Sequence, residues 1–169
     1  MGTKIGGGME FIASSGAISN AANVSFTQFD AAKYDHYQFW FQYLIPASAG
    51  EDFLARASTD GGSSYDGTNG NYHFPNTADR TGFNIGTGVG TGSNEFGLSG
   101  DFKLFAPHNS SAFTYGMTIS TLITSGVTVA GQLSASMHLV AADVDAIQFV
   151  CSSGNIESGE ITMFGIVNA

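Results

Sequence analysis

The chain has 169 residues, of which 43% are hydrophobic and only 11% charged, with a net charge of −9. Its length fits one domain able to bury roughly 70% of the surface exposed on unfolding, and its charge is less than half the usual share of about 25%. With 14 Phe, 6 Tyr and one Trp the sequence is too apolar for disorder, and no apolar run approaches the ~20 residues of a membrane-spanning helix.

From the N-terminus, residues 1–9 read as a flexible glycine-rich lead with Gly6, Gly7 and Gly8 as its hinge, and residues 10–169 as a single β-sandwich domain. No charged segment leads into an apolar run, so no signal peptide is expected. Gly6 occupies the position where a myristoylation signal carries Ser or Thr.

Beyond Glu10, short β-favouring runs alternate with Gly, Ser, Asn and Asp punctuation. Strands are expected at 10–14, 23–29, 34–45, 53–58, 71–74, 82–85, 95–105, 113–123, 127–140, 144–151 and 160–167. The clearest is Tyr34–Ile45, where Tyr37, Phe39, Phe41, Tyr43 and Ile45 alternate with His36, Gln38 and Gln42. One face is therefore expected in the core and the other in water. Trp40 and Leu44 interrupt the polar face, which points to partial cover by a neighbour, and Pro46 ends the pairing.

Residues 60–71 and 86–93 are rich in Gly and polar residues and read as loops. Residues 130–139 have some helical propensity, but Thr128, Val129 and Gly131 argue against a helix start. The expectation is an all-β, jelly-roll-like antiparallel sandwich.

Catalytic chemistry is hard to find. The glycines at 86, 88 and 90 complete no GxGxxG and precede no helix, and Gly97-Leu98-Ser99-Gly100 lacks the spacing of a nucleophile elbow. His36, His73, His108 and His138 are far apart and read as surface or half-buried strand residues. Asp143 and Asp145 flank Val144, an arrangement open either to cation or acid–base work or to a solvated turn. The lone cysteine, Cys151, excludes an internal disulfide and reads as a small core residue. No catalytic residue, cofactor or metal ligand is assigned.

Ser58-Thr59-Asp60-Gly61-Gly62-Ser63-Ser64-Tyr65 resembles the Asp-box, a hairpin lock of sialidases and other β-proteins. Its aspartate accepts backbone N–H bonds across the turn while the aromatic folds back. A single copy and only two arginines give no support to a glycosidase.

Three further stretches carry a wider resemblance. They are Phe11-Ile12-Ala13-Ser14-Ser15, Tyr34-Asp35-His36-Tyr37-Gln38-Phe39 leading to Ile45-Pro46, and Leu54–Asp66. The ending Ser152-Ser153-Gly154-Asn155-Ile156-Glu157-Ser158-Gly159 and on to Ile166 completes it, with Phe164 where such endings often have Tyr. Together they resemble small jelly-roll structural proteins of tailed bacteriophages. The resemblance implies a virion component, often a homotrimer, that serves either as a capsid decoration (cement) protein on the outer surface of the head or as a tail fibre or baseplate adhesin. The short chain, without a shaft or repeats and with a glycine-rich lead, favours the first.

The expected partner is then the major capsid protein. The five scattered basic residues, Lys4, Lys33, Arg56, Arg80 and Lys103, argue against nucleic acid, and no membrane partner is expected. Candidate contact residues are Gly6, Gly7 and Gly8 of the lead, Asp60, Tyr65, Asp66, Asn69 and Tyr72 around the first loop, and Thr87 and Val89 of the second. The alternative is a tail receptor-binding protein in which Tyr65, Tyr72 or Phe83 stacks on sugar rings.

Overall fold

A computed structural model describes residues 8–74, 77–92 and 96–167, and within them the protein is all-β. The large sheet runs β1 (Met9–Ser14), β13 (Ile156–Val167), β4 (Tyr34–Pro46), β9 (Leu98–Phe105), β10 (Thr114–Ile123), β11 (Val129–His138), β6 (Tyr72–Phe74), β7 (Thr77–Arg80). A further strand, β2 (Ile18–Ala21), also pairs with β13. The small sheet runs β3 (Val24–Phe26), β12 (Ala146–Cys151), β5 (Glu51–Ser58), β8 (Phe83–Val89).

Every pairing is antiparallel. The chain crosses repeatedly between sheets, so that β2-β13-β4-β9 faces β3-β12-β5-β8. That is the strand order of a jelly roll. The pairs β6–β7 and β10–β11 extend the large sheet beyond β9.

Aromatic rings from the two sheets interlock between the layers. Phe39 of β4 lies 5.2 Å from Phe149 of β12 and 5.6 Å from Phe26 of β3, with Phe102 of β9 stacked at 6.1 Å. These edge and offset contacts suit the ring quadrupole and add to the burial of large apolar surface.

The expected alternation along β4 holds from Tyr37 to Phe41 and then slips. Tyr43 has a φ of 51° and turns outward, and Leu44 takes the core position expected for Tyr43 and Ile45. The β4–β9 register shifts between Phe41 and Leu44, the signature of a bulge. Glycines on both sides make room for it, Gly97 just ahead of β9 and Gly159 within β13. A Cβ at Gly97 would run into the Leu44 carbonyl, and one at Gly159 would lie 2.7 Å from the Tyr43 oxygen.

Residues 86–89 are strand, not loop. A Cβ at Gly86 would collide with Leu98, so this glycine serves close packing inside the sandwich. The outer edge of β8 is capped by side chains along residues 84–87 and makes backbone bonds only at its end, where the Ser125 amide donates to the Gly88 carbonyl at 3.0 Å and the Gly90 amide to the Ile123 carbonyl at 2.7 Å. Thr118 donates to the Asn84 carbonyl at 2.8 Å, Ser120 to the Ile85 carbonyl at 3.2 Å, and the Thr87 amide donates to Gln132 at 3.1 Å. The short strands β2 and β7 were not expected. At the other end of expectation, Met9 belongs to β1, opposite Ile166, rather than to a lead reaching residue 9.

Candidate functional site

Strand alternation decides which side chains leave the core. On the outer face of the large sheet it sends out Phe11 from β1, Phe164 from β13 and Trp40 from β4. Farther across, the same face carries Tyr115 and Ile119 from β10 and Val129 and Leu133 from β11. Phe11 is 63% exposed and Trp40 46%, although both are apolar. The Trp40 ring lies 4.6 Å from Phe164 at 50°, and Phe11 meets Phe164 edge-on at 6.2 Å and 78°. The outward row of β9 adds Lys103 and Asp101, which pair with each other at 3.3 Å and cancel in charge. Exposed apolar patches of this kind mark interaction surfaces.

A second feature is a polar hollow of about 360 Å³ beside the loop 59–71, lined by Ser58, Ser64, Tyr65, Asp66, Asn71 and His138 among others. The Asp60 and Asp66 carboxylates and the Ser58 and Ser64 hydroxyls are already engaged, while the buried His138 Nδ1 has no hydrogen-bond partner among the described residues. Asp60 accepts from the Ser64 amide at 2.9 Å, the Ser64 hydroxyl at 2.6 Å and the Ser58 hydroxyl at 2.8 Å, which is the turn lock expected of an Asp-box. These bonds, the Ser64 hydroxyl foremost, lower the Asp60 pKa.

Asp66 accepts from the Thr68 backbone amide at 2.9 Å, the Asn71 side-chain Nδ2 at 2.8 Å and His138 Nε2 at 2.9 Å. Burial works to raise the Asp66 pKa, but the bonds from His138, Thr68 and Asn71 prevail and hold it at about 2. His138 itself is buried and stacks on Tyr72 at 4.9 Å, a deeper setting than expected for it.

A third cluster joins Tyr37, His108 and Asp143. The Asp30 amide donates to the Tyr37 hydroxyl at 2.7 Å, His108 Nε2 lies 3.0 Å from that hydroxyl, and His108 Nδ1 lies 2.8 Å from Asp143. Burial pushes the Tyr37 pKa up to about 12. The cluster pins the turn around His108 to β4. Asp145 turns to a different loop and accepts from the Gly61 amide at 2.9 Å. The two aspartates flanking Val144 therefore serve separate contacts and do not converge.

The candidate contact residues divide. Gly6 and Gly7 lie outside the described residues, while Gly8 is exposed and its carbonyl accepts from the Val167 amide at 3.1 Å. Asp60, Asn69 and Thr87 are exposed, and Tyr65 and Asp66 are half-buried. Tyr72 and Val89 are fully buried, and so is Phe83. Tyr72 is held in the core because its hydroxyl bridges β5 and the loop, accepting from the Ala57 amide and donating to the Asp66 carbonyl, both at 2.9 Å. Val89 points inward from β8, and Phe83 packs on Tyr72 and Phe102 at 5.1 and 5.3 Å. Two of the three aromatics considered for sugar stacking are thus core residues.

Sequence reasoning missed the outer apolar face as a unit. Its one visible signal was Trp40 on the polar side of β4. Among the described residues no three or more His, Cys, Asp or Glu side chains gather in a metal-binding group, and no helix is long and apolar enough to cross a membrane. No protein-family model matches the chain, and no curated protein matches its sequence.

Proposed function

We propose that this protein is a structural component of a bacteriophage particle, a decoration (cement) protein that binds the outside of the head shell as an oligomer. The observation that carries the reading is the aromatic patch on the outer face of the large sheet, formed by the exposed Phe11 and Trp40 packed on the half-buried Phe164. Tilted rings of this kind present edges and hollows rather than one flat platform. That relief suits an irregular protein surface better than a sugar ring.

The polar clusters support the same reading from the other side. Asp60, Asp66 and Asp145 already accept several hydrogen bonds each, so their lone pairs serve the fold rather than a ligand. Cementing needs no reacting group. Each subunit bridges neighbouring shell proteins, and many modest contacts add up through multivalency. A protein that binds only the assembled shell stabilises it by mass action. The major capsid protein is the proposed partner, and the resemblance to phage jelly-roll proteins suggests a trimer.

The test is co-sedimentation of the purified protein with head particles lacking it. The expected result is saturable binding, weakened at least tenfold by Trp40→Lys, a surface change that leaves the fold intact. Absence of binding to heads would overturn the reading, and equal binding by the variant would overturn the placing of the contact on this patch.

A further inference from the structure

Among the described residues, β11 carries the longest unpaired strand edge in the fold. It pairs with β10 over its whole length, but on its other side only Met137 and His138 meet β6. From Val129 to Ser136, alternate residues therefore turn their N–H and C=O groups outward, with no described backbone partner.

Such edges are normally blunted by charge, proline, a bulge or a covering element. The edges of β1, β3 and β8 are. β1 carries Glu10, paired with Lys33 at 2.6 Å, and its register slips between Phe11 and Ala13. β3 has only 3 residues. β8 is capped by Thr118, Ser120 and Gln132. The segment Val129–Ser136 has no charge and no proline, its register with β10 is unbroken, and its outward Val129 and Leu133 are 73% and 76% exposed.

We infer that this edge pairs antiparallel with the β11 edge of a second copy of the chain, about a two-fold axis at Gln132. In that register Leu133 faces Gly131 of the other copy, and Val129 faces its Ala135. Each large outward residue then meets a small one, and a Cβ at Gly131 would meet nothing within 4 Å of its own chain. On the inward side Ala130 faces Ser134, again a small pair.

The occupant follows from these features. A partner strand must itself be an exposed edge of matching length, uncharged, with large and small residues in mirrored order. The chain supplies that edge at its own concentration. The net charge of −9 does not oppose the union locally, because no charged side chain lies between residues 129 and 136. The contact is isologous and builds even-numbered assemblies, so it stands apart from the trimer of the decoration reading and does not rest on it.

Sedimentation velocity on the full chain tests it. The expected species is a dimer or an even multiple, and Leu133→Lys or Val129→Lys should halve its mass with an unchanged circular dichroism spectrum. A second measurement guards against a misfolded variant. Chains carrying Gly131→Cys, mixed with chains carrying Leu133→Cys and mildly oxidised, should yield a disulfide-linked dimer in several-fold excess over either chain alone. A monomer at every concentration, an assembly unmoved by both lysine variants, or equal cross-linking in mixed and unmixed samples would overturn the inference. Failure here leaves binding to heads unaffected, so the two proposals fall separately.

Discussion

His138 Nε2 and Asp66 Oδ2 lie 2.9 Å apart although 72 positions separate them in the chain, and their bond ties the loop 59–71 to the end of β11. Because the acceptor is a carboxylate, the ring nitrogen must donate. The Asp66 pKa falls from an ordinary 3.8 to about 2 in the folded protein. A lowered carboxylate contributes stability at all pH values above its unfolded pKa and loses it as pH falls through the folded one. The melting temperature should therefore drop as pH is taken from about 4 to about 2. Asp66→Asn should remove this part of the acid dependence and cost about 1–3 kcal/mol at neutral pH. Melting curves of the two proteins across that range are the check.

The bulge in β4 rests on glycines outside it. Gly97 has a φ of 58° and sits where any Cβ would strike the Leu44 carbonyl. Gly97→Ala should cost about 1–3 kcal/mol through left-handed strain, and more through the clash. Gly126→Ala, where the new methyl would approach nothing closer than the Thr124 hydroxyl at 3.8 Å, should change stability little. Chemical denaturation of both variants measures the contrast.

Cys151 is buried in β12, with its thiol 3.4 Å from the Asn155 carbonyl. Burial, with a smaller effect from Glu51, pushes the thiol up to about 12. The thiolate is the reactive form, so the folded protein should resist a thiol reagent at pH 8 and react fully once denatured. Rapid labelling of the native protein would show that β12 opens readily.

Much of the fold was legible in the sequence because its strands are short, regularly punctuated and rich in aromatics. Phe39 and Phe41 declared the inner face of β4 through period-two alternation alone. Tyr43 did not, because its outward turn depends on Gly97 and Gly159, which arrive just ahead of β9 and within β13. The strand at 86–89 was hidden by the opposite effect. Its glycines resemble a loop, yet Gly86 is needed to pass Leu98, and the edge is satisfied by hydroxyls from β10.

The site was less legible than the fold. The Asp-box lock is local and could be read directly from Ser58 to Tyr65. Tyr72 could not be placed, because its burial depends on the Ala57 amide and the His138 ring. The aromatic patch combines Phe11, Trp40 and Phe164 from three strands and exists only once their registers are set.

Trp40 is the single tryptophan and lies in that patch, so it reports on binding without a label. In the free protein its fluorescence should be readily quenched by acrylamide. On heads it should shift to the blue and become protected, as an interface core excludes water. Unchanged emission in a bound complex would move the shell contact to another face.

Immunogold electron microscopy of the particles from the source that encodes this chain tests the central claim most directly. The account predicts gold distributed over the head surface. Gold confined to the tail, or absent from the particles, would contradict it.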